Sequence, residues 1–514
     1  MSYKRGGGFR WLLASVGLVV VLVAALAYLK RGGFSSGEGA NELLVYCASG
    51  IRLPVEAAAK QFEEEVGIAV RIEYDSSGGL EGKLKLDKQG GQVRADVYIP
   101  ADNSFAERAK AAGLTAEVIP LAQFHLVLGV EPGFDKKIST VQDLLDQQVS
   151  YTLCEPIAGV GKRTKAALDT AGVYDSVYEN KKVGFTRVTE AANAIASSAE
   201  LEAGLIWNTT ADQFGLEVIE LPEFKGAFSE IVGAVVEGTS VPADALRFIR
   251  YLAAPDRGRP MFAQHKFDPA DQVGDAWAHT PELVVYCGGV NQHAVKTTLR
   301  EFEAREGCEI VEQFAGCGKL VAGIRSIDEG GKGFPDAFMT CDASYLTKVE
   351  EAFATPHDVS STRIVLLVRK GNPKDLNSVA DLAKPGLAIG VTDATVSTLG
   401  DLSQQLFKAY GVAENIRSQK AIAVTTPTAH ELILQMVGHG KLDVALVYEA
   451  NCQEILEDFD LIPIDHGLAR TVQNVAVARQ SPYPALAGRL MDTLLSTASR
   501  ARFESSGFSW QGDE

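Results

Sequence analysis

Most of what would mark an enzyme is missing from this 514-residue chain. It has no Gly-x-Ser-x-Gly, no His-Glu-x-x-His and no Walker A sequence, which removes the nucleophile elbow, the zincin helix and the phosphate-cradling loop. The run from Gly159 to Thr164, GVGKRT, imitates the end of a phosphate loop but lacks its first glycine, and it reads as the opening turn of a helix. His125, His265, His279, His293, His357, His430, His439 and His466 have no ligand spacing and read as surface or hydrogen-bonded buried histidines. No Cys-x-x-Cys occurs, so a zinc ribbon and a thioredoxin-like motif are absent. No enzyme is expected and no cofactor is implied. Positive charge is also scarce: 49 Lys and Arg face 66 Asp and Glu, for a net charge of -17. That field repels polyanions and excludes nucleic acid as a partner, so any anion must be held by local groups.

Long apolar runs are scarce as well. One stands out, Trp11 to Leu29, uncharged and flanked by Arg10, Lys30 and Arg31. As a helix it would span about 28 Å, the thickness of a bilayer core. Ala25-Leu26-Ala27 resembles a signal-peptide cleavage site, while Lys30 and Arg31 directly after the run disfavour processing and favour a retained anchor. Both readings place the rest of the chain in the periplasm or outside the cell, and the anchor makes the membrane a partner. No lipobox cysteine follows. Residues 1–10 are then a basic N-terminus, 11–29 the transmembrane anchor or signal segment, and 30–41 a linker rich in Gly and Ser.

What is present is a globular composition, 46% hydrophobic and 22% charged, in a chain too long for one ordinary core. It is internally duplicated. ELLVYCASGIRLPVEAAAKQFEEEVG from Glu42 aligns without gaps onto ELVVYCGGVNQHAVKTTLREFEAREG from Glu282, with nine identities in 26 at an offset of 240. The same offset carries Leu80 onto Leu320, Asp96 onto Asp336 and Asp102 onto Asp342, and the sequence to Phe267 parallels that to Phe508. Two domains are expected, 42–275 and 280–512.

Each repeat patterns as α/β. ELLVY is a strand, PVEAAAKQFEEE has helical spacing, IAVRIEY is a second strand, a glycine-rich turn and a helix follow, and ADVYI is a third strand. Alternation of this kind predicts parallel pairing with right-handed crossovers. Apolar strands at Leu126–Val130 and Ile364–Val368 begin a second block, and GAVVEG and QNVAVAR return the chain to the first, so two lobes per repeat are expected.

YCASGIRLPVEAAAKQFEEEVG, YDSSGGLEGKL, ADVYIPAD, LCEPIAGVGKRTKAAL, LEAGLIW and FIRYLAAPDRGRPMFAQHKF resemble, in order and spacing, the periplasmic molybdate/tungstate-binding proteins of ABC transporters. Repeat two follows more loosely through FAGCGKL, DAFMTCDASY, VTDATVSTLGDLSQQLF and LDVALVY. The resemblance implies two tandem bilobal type II periplasmic-binding domains, a small oxyanion as ligand and an ABC permease as partner. An oxyanion presents only acceptors, so its site must present hydroxyls, backbone N–H groups and helix N-termini. Ser49-Gly50 and Ser76-Ser77 stand at such strand-to-helix turns; ordinary serine N-caps are the alternative reading. Carried over by position, the family's donors fall at Gly50 with Ser49 beside it, at Ser77, at the backbone near Val160 and Thr189, and at Trp207 in place of a tyrosine. In repeat two the positions read Val290, Cys317, Leu399, His430 and Tyr448, of which Tyr448 keeps its hydroxyl. The second domain is therefore expected to be degenerate.

Seven cysteines stand at 47, 154, 287, 308, 317, 341 and 452. Cys287, Cys317 and Cys341 follow the second repeat's first three strands, and three readings are open: a site for Cu(I) or another thiophilic metal, a disulfide, or plain core. Two other functions stay open beside solute delivery. One is an anchored sensor or scaffold; the other is a type II protein for Fe(III), for which Tyr74 and Tyr98 are the tyrosines in repeat one.

Overall fold

The computed structural model describes residues 42–272, 274–439 and 441–512. The apolar run 11–29 and the linker lie outside the described residues, and among the described residues no helix is long and apolar enough to cross a membrane.

Each repeat folds around a ten-stranded sheet, and the two sheets have the same strand order. In the first, Ala69–Asp75, Glu42–Ala48 and Val97–Ile99 pair in parallel. Phe228–Val236 joins antiparallel, then Thr115–Val130 and Ala203–Trp207 follow, each antiparallel to its neighbour. Tyr151–Cys154 and Val183–Phe185 close the far edge in parallel. The second sheet runs Glu309–Ala315, Glu282–Gly288, Ala337–Met339, Arg470–Val477, His357–Arg369, Val444–Tyr448, Ile389–Thr392 and Ile422–Thr426. The register repeats too: Val45 faces Val97 and Val285 faces Ala337, each displaced by 240.

Parallel pairing holds among the strands that alternate with helices, while the crossing and returning strands pair antiparallel within both lobes. The strand expected to begin at Leu126 begins at Thr115; its first part pairs with Phe228–Val236 in one lobe, and Leu126–Val130 pair with Ala203–Trp207 in the other. His357–Arg369 likewise crosses between lobes, where a strand was expected from Ile364. The early half was illegible because register shifts near Thr115 and Pro120 break the period-two alternation that marks a strand. The crossing strand and the returning strand are covalent links between the two lobes.

Helix Arg52–Val66 buries Val55, Ala58, Ala59 and Phe62, the i, i+3, i+4, i+7 set, and stops at Gly67, whose φ of 78° suits a residue without Cβ. Phe62 meets Phe248 and Tyr251 edge to face at 5.1 and 5.3 Å, which ties the closing helix Pro242–Ala253 to the first lobe. Gln292–Glu306 repeats this design, with Val295, Leu299 and Phe302 inward and Gly307 at its end.

The domains are docked. Arg305 makes two bonds of 2.7 Å to Glu117 on the first crossing strand. Asp275, in the connector, accepts the Ala485 and Leu486 N–H groups at 2.8 and 3.0 Å and caps helix Pro484–Leu494. Burial would raise the Glu117 carboxyl, but Arg305 outweighs it and holds it below the ordinary value.

Candidate functional site between the lobes

In the first domain the first strand ends at Ala48 and the chain turns through a short 3-10 segment, Ser49–Ile51, into the helix from Arg52. Ser49 Oγ donates to the Asp75 carbonyl at 3.2 Å, so it braces the neighbouring turn. Ser76 caps helix Ser77–Gln89 by accepting the Gly79 N–H at 3.1 Å. The alternative of an ordinary N-cap is therefore what Ser76 does. Ser77 Oγ accepts the Ala101 N–H at 3.1 Å, and Tyr98 donates to its carbonyl at 2.8 Å; a hydroxyl that accepts one bond still has its proton to give.

On the opposite lobe, Val160 is buried in the first turn of helix Gly159–Thr170 and offers its backbone, while Thr189 is exposed in the first turn of Val188–Ser197. Trp207 is 8% exposed and packs edge to face on Phe124 at 4.7 Å. A Cβ at Gly50 or at Gly159 would meet open space. Arg163 reaches across to Asp102 at 3.2 Å, bridging the lobes. Burial would raise Asp102, but Ser104 and Ser229, and then Arg163, hold it below the usual carboxylate range. A group that sequence reasoning missed is Asp75: its carboxylate accepts the Ser76 N–H at 2.7 Å and touches Gly79, so an acid already sits at the N-terminus of helix Ser77–Gln89.

The second domain has the same turns in a closed arrangement. A cavity of about 240 Å³ lies between its lobes, walled by Val290, Gly316 and Cys341 on one side and Ser397, His430 and Tyr448 on the other. Gly316 stands where Ser76 stands; a Cβ there would overlap the Val396 carbonyl of the opposite lobe, so the capping serine has been exchanged for contact between lobes. Asn451 donates across the cleft to the Val290 carbonyl at 3.4 Å. The Tyr448 hydroxyl is buried with no partner, and burial raises it well above an ordinary phenol. Leu399, by contrast, is fully buried in the core.

The duplication places Cys317 on Ser77 and Cys341 on Ala101. The Cys341 N–H donates to Cys317 Sγ at 2.9 Å, as Ala101 does to Ser77, but residue 341 also brings a sulfur, 2.8 Å from that of Cys317. The three-thiol reading fails: Cys287 Sγ turns to the Gly288 carbonyl at 3.7 Å, as Cys47 turns to Ala48 at 3.6 Å, and no metal-holding cluster of three His, Cys, Asp or Glu occurs among the described residues. All seven cysteines are buried and free.

The family described as bacterial extracellular solute-binding protein matches the chain twice, over residues 43–268 and 283–509. The molybdate-binding protein ModA of Mycobacterium tuberculosis is 26% identical over 268 residues, covering 50% of this chain and 98% of the relative. Among solved structures, the periplasmic molybdate-binding protein of Azotobacter vinelandii is 19% identical, covering 45% of this chain and all of its own, with a TM-score of 0.36. Iron-bound HitA from Pseudomonas aeruginosa is 18% identical, covering 46% and 88%, with a TM-score of 0.39.

Proposed function

We propose, for a chain that belongs to the bacterial extracellular solute-binding protein family, that its first domain captures a tetrahedral oxyanion of the molybdate class between its lobes and presents it to an ABC importer. The observation that carries this reading is the Ser77 hydroxyl, part-exposed at the strand-to-helix turn and bonded there only as an acceptor. It has a proton to donate, residue 101 brings only a methyl group, and the backbone at Gly50 and Gly159 faces open space on the two lobes. A ligand there would draw N–H groups from both sides, and binding energy shared by the lobes favours the closed form that a permease can recognise. In the second domain a sulfur stands beside the equivalent position. The molybdate-binding relative supports the choice of anion, and the contact residues are Ser49, Gly50, Ser76, Ser77, Val160, Thr189 and Trp207, with Val160 and Thr189 acting through their backbones.

Titration calorimetry on the full chain tests it with molybdate, tungstate and sulfate. A lost hydrogen bond to a charged ligand costs about 1.5–3 kcal/mol, so Ser77→Ala is expected to weaken binding roughly tenfold to a hundredfold. Cys317→Ala is expected to leave it unchanged. Binding that survives Ser77→Ala and vanishes with Cys317→Ala would move the ligand to the second cleft.

A second reading has its own support. The lobes of the second domain meet through Gly316 and Asn451, and the domain is docked through Arg305 on Glu117, which suits an anchored scaffold or sensor whose second cleft no longer cycles. Tyr448→Phe would then leave anion binding untouched.

A further inference from the structure

Three matched positions differ together between the two domains. Ala48, Ser77 and Ala101 in the first become Gly288, Cys317 and Cys341 in the second. The change at 288 is the informative one: a Cβ there would lie 2.5 Å from Cys341 Sγ and 3.0 Å from Cys317 Sγ, so the glycine makes the room that the two sulfurs occupy. The sulfurs are 2.8 Å apart, inside the contact distance of unbonded atoms and within reach of the bond of about 2.0 Å that joins a disulfide. They are held in place, because the Cys341 N–H donates to Cys317 Sγ at the start of helix Cys317–Arg325.

We propose that Cys317 and Cys341 are a redox-active dithiol that closes to a disulfide in the exported protein, by exchange with a protein or small-molecule disulfide. The Cys341 thiolate attacks one sulfur of the donor, forming a mixed disulfide and releasing the donor's other sulfur as a thiolate. Cys317 then gives up its proton and displaces the remaining donor thiolate. The pair loses two electrons and two protons, and the donor disulfide is reduced to two thiols. Cys341 borders the inter-lobe cavity and is reached when the lobes part, whereas Cys317 is fully buried behind it. That order agrees with the electrostatics: the Cys317 thiol, with the Val290 N–H, holds Cys341 below an ordinary thiol despite burial, and burial pushes Cys317 up. The compartment agrees with it as well, since family membership places the chain outside the cytoplasm, where disulfides persist. The bridge would tie helix Cys317–Arg325 to the turn after Ala337–Met339 and stiffen one wall of the cavity.

The full chain, purified without reductant and equilibrated with oxidised glutathione, is alkylated in denaturant and digested for mass spectrometry. The expected result is one linked peptide pair, Cys317 with Cys341, a mass loss of two hydrogens reversed by dithiothreitol, and an unfolding midpoint several degrees higher in the oxidised form. Cys317→Ser and Cys341→Ser should each remove both the mass loss and the thermal shift, and Cys287→Ser should retain them. Full alkylation of both cysteines after that equilibration would overturn the proposal, as would a bridge that uses any of the other five. The wild-type mass measurement stands even where a variant fails to fold.

Discussion

At position 76 a serine caps the helix that follows it, and at 316 the same place in the second domain holds a glycine pressed against a carbonyl from the opposite lobe. The strand order and register around both positions are the same. One fold has therefore been finished in two ways, one domain whose turns still carry serine hydroxyls and whose lobes are bridged by Arg163 and Asp102, and one whose lobes meet in direct backbone contact. A few side chains at the strand ends decide which, because those turns are where the lobes meet.

Restoring the serine is the sharpest way to break the comparison. Gly316→Ser drives a side chain into the Val396 carbonyl, and overpacking of this kind costs about 1–3 kcal/mol. We expect the second cleft to open, seen as an increased radius in solution scattering and a lower unfolding midpoint. No change in either would mean that the lobes of the second domain are not held by this contact.

Docking of one domain on the other should respond to acid. The folded Glu117 carboxyl titrates below its unfolded value, so its contribution is present above the unfolded pKa of roughly 4.3 and is lost as pH falls through the folded one. Both partners are partly exposed, so Glu117→Gln should cost about 1 kcal/mol at neutral pH and nothing in strong acid. Denaturation followed at both pH values checks the sign.

Asp75 offers a smaller effect on the first cleft. Its carboxylate sits at the N-terminus that an anion would use, and removing one exposed charge should strengthen oxyanion binding by roughly two- to fivefold at low salt. Unchanged affinity of Asp75→Asn, measured by calorimetry, would place the anion away from that helix. Least of all should come from Ser76→Gly, the reciprocal of the first exchange. A serine cap replaced by glycine costs only a few tenths of a kcal/mol, so the first domain should keep its unfolding midpoint while the second loses its own in Gly316→Ser.

Much of this was written in the chain. The 240-residue offset, the alternation of strand and helix patterns and the helical spacing of Val55, Ala58, Ala59 and Phe62 depend on local periodicity, which sequence records directly. The turns at Ser49-Gly50 and Ser76-Ser77 were legible for the same reason. Their roles were less so: Ser49 braces the Asp75 carbonyl and Ser76 caps a helix, while Asp75 gave no signal beyond an acid at a strand end.

The sequence by itself determined that there are two α/β units and where their turns fall, since hydrophobic period and glycine position act over a few residues. Tertiary structure decided the rest. That one strand serves both lobes depends on pairing with residues about a hundred positions away, and bulges hid it from the local pattern. That Cys317 meets Cys341 while Cys287 does not, and that Gly316 is a contact rather than a loop, follow from how close two separate backbones come. No local pattern carries that distance.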